Sequence, residues 1–129
     1  MKHFQESKDY KDWYERASHD IEDAERLFVG GGYSDTICYL VHQSVEKYLK
    51  GFLLFNKANY PFIHDLIKLL RLCSEFDSNI IDYLDECKKI NSYYIEDRYP
   101  LNAPLQYSKE ETKEVIELAK GLIKYIIDN

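Results

Sequence analysis

The sequence lacks a long apolar run. A membrane-spanning helix needs about 20 consecutive apolar residues, and no stretch of this chain approaches that length. Residues 1–6 also lack the apolar block of a secretory signal. We therefore expect no membrane segment and a cytoplasmic location.

Cysteine is scarce, and its few copies are scattered. Cys38, Cys73 and Cys87 all lie in apolar stretches, and no two have the spacing of metal ligands. We interpret them as small buried core residues of a protein from a reducing compartment. The four histidines include no His-x-x-x-His pair. We therefore expect neither a metal nor a cofactor.

Positive charge is also in short supply. The chain has 17 Lys and Arg against 23 Asp and Glu, a net charge of −6. Such a surface repels a long DNA duplex, but a single nucleotide or a short RNA can still bind at a local basic patch. A basic partner surface is equally compatible with this charge. The 12 tyrosines favour interfaces and base stacking as much as a core.

No segment shows the alternating pattern of a β-strand, and apolar residues recur at helical spacing almost throughout. Three glycines at 30–32 end the first predicted helix, Pro100 and Pro104 bracket a loop, and Ser108 opens a capping box. The pattern predicts an all-α fold, an antiparallel up-and-down bundle of four long helices plus one short helix. We expect one domain over residues 1–129. The predicted helices cover 7–29, 34–56, 63–73, 78–97 and the segment from 108 onward.

Familiar catalytic motifs are absent too. The chain has no Gly-x-Ser-x-Gly, no Cys-His arrangement at a known spacing and no Walker loop. We therefore do not expect a self-contained metabolic enzyme.

The second predicted helix carries a polar cluster on one face. Gln43, Glu46, Lys47 and Lys50 are three, one and three positions apart, so their side chains share that face. If the face borders a cleft, the two lysines suit phosphate and Gln43 suits the edge of a base. The alternative is a solvated face, with a Glu46–Lys50 ion pair worth a few tenths of a kcal/mol.

Two adjacent polar residues, His64 and Asp65, open the third predicted helix. Asp65 in a first turn favours the helix dipole, and His64 is then a cap residue. The alternative is a histidine held by a carboxylate as a general base.

Arg98-Tyr99-Pro100 is the most informative motif. It ends the fourth predicted helix and follows Tyr94 and Asp97 closely. A guanidinium offers a rigid fork of donors and a stacking face, so beside tyrosines it suits a phosphate and a flat base. The alternative is a C-terminal cation that completes the helix and pairs with nearby carboxylates.

The motifs follow one another in a set order: Trp13, Ala17, Asp20 and Ala24, then Tyr33-Ser34-Asp35, the polar cluster at 43–50, His64-Asp65-Leu66, Arg98-Tyr99-Pro100 and Tyr107-Ser108. In this order they resemble the HEPN domain family (higher eukaryotes and prokaryotes nucleotide-binding), over about residues 10–127. The resemblance implies an all-α bundle, often a homodimer. Small prokaryotic members are commonly paired with a minimal nucleotidyltransferase in toxin–antitoxin systems. With Tyr94 added as a stacking residue, the nucleotide-binding positions are then Gln43, Glu46, Lys47, Lys50, His64, Tyr94, Asp97, Arg98 and Tyr99.

The sequence departs from the RNA-cleaving members of the family. Those carry an arginine, then four to six residues, then a histidine, whereas the corresponding positions after Arg98 are Ala103, Pro104 and Leu105. We therefore assign no catalytic residue and favour a nucleotide-binding module. One alternative is a metal-independent RNA-cleaving toxin that uses Arg98, His64 and Asp97. Another is a structural oligomerisation module without a ligand.

Overall fold

The computed structural model describes residues 8–94 and 106–129, and every regular element within those ranges is helical. The predicted all-α fold is confirmed. The elements are α1 (Tyr10–Gly30), α2 (Ser34–Phe55), α3 (Leu66–Cys73), a 3₁₀-helix (Ser78–Tyr83), α4 (Leu84–Asn91) and α5 (Lys109–Asp128).

Local signals set the ends of the longest helices. The Asp9 carboxylate accepts a hydrogen bond from the Lys11 backbone N–H at 2.9 Å and caps α1. Gly31 ends that helix with φ of 81°, in the left-handed region that glycine adopts without strain. At the start of α5, the Ser108 hydroxyl accepts from the Glu111 N–H at 3.0 Å. Both the glycine stop and the Ser108 cap agree with the sequence prediction.

The third helix begins later than predicted, at Leu66 rather than at residue 63. Asp65 is its N-cap, because the carboxylate accepts from the Ile67 N–H at 2.9 Å. The predictions that Asp65 lies in the first turn and that His64 is a cap residue are therefore wrong. His64 precedes the helix, and its side chain is available for other contacts.

The fourth predicted helix, over 78–97, is not continuous. A 3₁₀-helix occupies Ser78–Tyr83, and α4 then ends at Asn91. The Ser92 hydroxyl donates to the Lys89 carbonyl at 2.6 Å, a local bond of the kind that competes with helix propagation. The last part of that predicted helix, residues 95–97, lies outside the described residues.

The two longest helices, α1 and α2, pack side by side in opposite directions. Ser44 Oγ donates to the Ala17 carbonyl at 2.7 Å inside this contact, and Gly51 lies against the Tyr14 ring. α5 joins the same bundle, with Lys120 Nζ 2.9 Å from a Glu25 carboxylate oxygen. The largest fully buried side chains include Trp13, Ile37, Leu49, Leu53, Leu66, Leu69, Leu70, Ile80, Ile90, Leu122 and Ile126.

The connection formed by residues 56–65 is what positions the candidate site. It carries the chain from the end of α2 back along that helix, since His64 contacts Glu46 and Cys73 Sγ lies 3.4 Å from the Leu49 carbonyl. Residues far apart in sequence therefore meet beside the middle of α2.

The three cysteines, Cys38, Cys73 and Cys87, are buried free thiols, as the sequence predicts. Burial raises the pKa of the Cys73 thiol and raises that of Cys87 to about 12, so both thiols are un-ionised and unreactive near neutral pH. Within the described ranges, no helix has both the length and the apolar character needed to cross a bilayer.

Candidate functional site

A cleft of about 270 Å³ opens between α1, α2 and the connection 56–65. The predicted residues from the face of α2 all border it, and the fold brings His64 to the same place. The residues that line this cleft are Trp13, Gln43, Glu46, Lys47, Lys50, Phe62 and His64.

Glu46 lies at the centre of the contacts in the cleft. One carboxylate oxygen accepts from Lys50 Nζ at 2.9 Å, and both oxygens lie 3.1 Å from His64 Nδ1. Glu46 and Lys50 are 5% and 4% exposed. The alternative of a solvated Glu46–Lys50 pair is therefore wrong, because the pair is buried beneath the cleft.

Aromatic rings cover the Lys50 ammonium group. Its Nζ lies 5.9 Å from the centre of the Trp13 ring and 5.7 Å from that of Tyr60. Those distances allow cation–π attraction, which is stronger when the cation is shielded from water. One carboxylate, that of Glu46, and two aromatic faces therefore hold this lysine in one place.

Lys47 forms the second ion pair of the cleft. Its Nζ lies 2.6 Å from an Asp20 carboxylate oxygen across the α1–α2 contact, and both side chains are partly exposed. Each of the two lysines that the sequence assigned to phosphate thus already has a carboxylate neighbour. A phosphate at Lys47 can share that partly exposed ammonium group, whereas Lys50 is shielded.

Among the predicted site residues that the structure describes, His64 is the most open to solvent. Its side chain is 50% exposed while Nδ1 contacts Glu46, which fixes the orientation of the ring. A histidine oriented by a carboxylate is the arrangement that a general base requires. The Tyr94 ring stacks near it, with ring centres 5.5 Å apart.

The sequence analysis missed His42, which is fully buried behind the cleft. Its ring stacks on Tyr94 at 4.4 Å, and its Nδ1 lies 3.9 Å from a Glu46 oxygen. Burial lowers the pKa of His42 although Glu46 acts in the opposite direction, so the ring is neutral near pH 7. Its Nε2 has no hydrogen-bond partner with good geometry among the described residues, although the Asn91 side chain and the His64 backbone are nearby.

Comparison with known proteins identifies the family. The family model named HEPN domain matches residues 10–129, nearly the whole chain. The chain belongs to the HEPN domain family. The resemblance stated from the motifs is therefore confirmed, and with it membership in a helical family named for nucleotide binding.

Solved structures similar to this HEPN domain agree with that result. TT1696 from Thermus thermophilus shares 25% identity over 92% of this chain and 96% of its own, with a TM-score of 0.78. ST0689, described as an archaeal HEPN homologue, shares 25% identity over 93% and 96%, with a TM-score of 0.77. A comparison with curated proteins gives no match.

Three of the predicted site residues cannot be placed in this HEPN domain. Asp97, Arg98 and Tyr99 lie outside the described residues, so their roles stay predictions. Tyr94 is described, and its ring already stacks on two histidines. The described residues contain no group of three or more His, Cys, Asp and Glu side chains that could hold a metal ion.

Sequence reasoning also missed the groups that other segments bring to this HEPN cleft. Trp13 and Asp20 belong to the motif set that carries the resemblance, but no role was assigned to them. Pairing α1 with α2 in opposite directions across the short glycine turn could have aligned Asp20 with Lys47. No comparable signal in the sequence points to Tyr60 or Phe62, because both lie in a connection without a periodic pattern.

Proposed function

We propose that this HEPN domain is a nucleotide-binding module whose ligand occupies the cleft beside α2. The observation that carries the proposal is that five residues predicted from motifs in two separate segments line one cleft. The cleft combines charged, amide and aromatic groups, as a site for a flat, polar, phosphorylated molecule requires.

The solvent exposure and the chemical groups of the site residues suggest which part of the nucleotide each one contacts. Lys47 is partly exposed at the cleft, and we assign it with Arg98 to the phosphate groups. The Gln43 amide can both donate and accept hydrogen bonds, which suits the edge of a base. Glu46, Lys50 and His64 form the floor that these groups border, while Asp97 and Tyr99 accompany Arg98 in the motif.

Binding measured by titration calorimetry tests the proposal. ATP, GTP, CTP and UTP are titrated into wild type, Lys47→Ala, Arg98→Ala and the control Lys124→Ala. Lys124 is an exposed lysine of α5 whose contact is with Asp128. We expect at least one nucleotide to bind wild type and the control equally, and Lys47→Ala and Arg98→Ala at least about ten-fold more weakly.

Equal affinity for wild type, Lys47→Ala and Arg98→Ala would remove both cations from the site, and absence of binding to wild type would overturn the function. Unfolding midpoints measured for each variant separate lost binding from lost folding.

The proposed partners are a second copy of the chain and a minimal nucleotidyltransferase, in a toxin–antitoxin-like pair. Both come from the family resemblance. Sedimentation velocity tests the homodimer, and co-expression with a minimal nucleotidyltransferase followed by affinity purification tests the heterologous partner. A monomer that retains no such protein would contradict both assignments.

One contact favours a second candidate function, cleavage of RNA without a metal. His64 is half exposed and oriented by Glu46, so it can accept a proton from a ribose hydroxyl. Incubation of the protein with RNA and a chelator decides between the two functions. Cleavage that Arg98→Ala and His64→Ala both abolish would favour the enzyme over the binding module.

A further inference from the structure

Phe62 is the feature of the cleft that stability does not explain. It is 81% exposed, whereas the other exposed phenylalanines of the described ranges, Phe55 and Phe76, are 45% and 48% exposed. Phe62 also lines the cleft, which the other two do not. An apolar ring in this position gains little from burial, but it can cover the face of a flat ligand.

The ring is anchored through its neighbour in the chain. Tyr60 is 7% exposed and packs edge-on against Trp13, with ring centres 4.8 Å apart. Phe62 in turn packs edge-on against Tyr60 at 5.8 Å. The three aromatic residues therefore run from the core to the opening of the cleft, where the outermost ring contacts Tyr60.

The charges inside the cleft indicate which part of a nucleotide lies against this ring. Lys50 is balanced by Glu46 at 2.9 Å, and Lys47 by Asp20 at 2.6 Å. The buried pair leaves no excess positive charge for a phosphate in the interior, and burying an uncompensated charge there is costly. An uncharged base avoids that cost, while the phosphates stay at the opening near Lys47.

The size of the cleft fits one such ring system. Its volume of about 270 Å³ is below the roughly 300–1,000 Å³ of sites that enclose drug-sized ligands. A single base fits this description better than a run of stacked nucleotides.

We propose that Phe62 is the base-stacking residue of the cleft, and that the base rather than the phosphate occupies its interior, with Gln43 at the edge of the base. This inference rests on the proposed function and adds the orientation of the ligand. It also replaces Tyr94 as the stacking group, since the Tyr94 ring is already stacked on His42 and His64.

The test measures separately how Phe62 affects the affinity for the base and the affinity for the phosphate groups. Wild type, Phe62→Ala, Phe62→Tyr and the control Phe76→Ala are titrated with the tightest-binding nucleotide, its nucleoside and inorganic triphosphate. We expect Phe62→Ala to bind the nucleotide and nucleoside at least about ten-fold more weakly, and Phe62→Tyr to restore most of the affinity. Triphosphate binding and Phe76→Ala should be unchanged.

The same unstacked base can come from a free nucleotide or from single-stranded RNA, and a hexanucleotide titrated in parallel shows which source binds more tightly. If wild type and Phe62→Ala bind the nucleotide with equal affinity, the inference is overturned and the proposed function still stands. Wild type that binds none of the nucleotides or nucleosides overturns both.

Discussion

Glu46 determines the electrostatics of the cleft, because one buried carboxylate contacts both Lys50 and His64. Removing either partner of a buried ion pair leaves the other charge without compensation. Replacing both partners by apolar groups avoids that penalty. We therefore expect the free energy of unfolding to fall when Glu46 or Lys50 is replaced alone, and to be largely retained when both are replaced together by apolar residues.

We predict that Glu46→Ala lowers the free energy of unfolding by about 3–5 kcal/mol, because Lys50 remains charged and buried. Urea denaturation followed by circular dichroism measures the change. Asp128→Ala serves as the control, since it breaks the exposed Lys124–Asp128 pair, which has the same i, i+4 spacing. That variant should unfold close to wild type.

The double variant Glu46→Leu/Lys50→Met completes the experiment and should recover most of the lost stability. A Glu46→Ala variant as stable as the surface control would show that water already solvates the Glu46–Lys50 pair, contrary to the structure.

The sequence predicted which residues share a face of α2 but not that Glu46 and Lys50 on this face are buried. Helical periodicity places Gln43, Glu46, Lys47 and Lys50 together, and that information is local. The burial of this part of the face depends on Trp13, which belongs to α1, and on Tyr60, which lies in a connection without a periodic pattern. The same spacing thus fits a solvated face and a buried floor, and only tertiary packing distinguishes them.

At the scale of elements, the close approach of α1 and α2 depends on Gly51. A Cβ atom built at that position would lie 2.6 Å from the Tyr14 ring and 3.2 Å from Trp13 Cβ. Both neighbours are packed, because Tyr14 contacts the rings of Tyr10 and Tyr48 and Trp13 is buried. A side chain at Gly51 must therefore push α1 away from α2 at the level of the cleft.

We predict that Gly51→Ala lowers the free energy of unfolding by about 1–3 kcal/mol through overpacking. Gly121→Ala is the matched control in a helix interior, since a Cβ there has nothing within 4 Å among the described residues. It should raise stability by about 0.5–1 kcal/mol because alanine favours the helix. Thermal unfolding compares the two, and a stabilising effect of both substitutions would contradict the close packing of α1 on α2.

The ends of elements were predicted correctly at some positions and wrongly at others. α2 begins at residue 34 as predicted although no side chain caps it, whereas the start of α3 was predicted too early although Asp65 caps it. The glycines at 30–32 and Ser108 gave correct signals. No such signal marks the break between the 3₁₀-helix and α4, because Ile80, Leu84 and Cys87 continue the same three- and four-residue spacing across it. Both kinds of helix place apolar residues at that spacing, so the pattern alone does not separate them.

At the scale of the whole molecule, the net charge and the cleft affect different classes of ligand. The net charge of −6 disfavours long nucleic-acid duplexes, whereas the cleft presents Lys47 beside aromatic and amide groups to a small ligand. The HEPN bundle supplies the frame, since α1, α2 and the returning connection 56–65 all contribute to one opening. This combination fits the proposed module, which binds a single nucleotide.

The most direct measurement is a ¹H–¹⁵N correlation spectrum of the labelled protein during titration with the tightest-binding nucleotide. We predict saturable shifts concentrated at the amides of Gln43, Glu46, Lys47, Lys50, Phe62 and His64, with little change along α5. Shifts confined to α5, or no shifts at a nucleotide concentration in the millimolar range, would contradict the assignment of this cleft as the binding site.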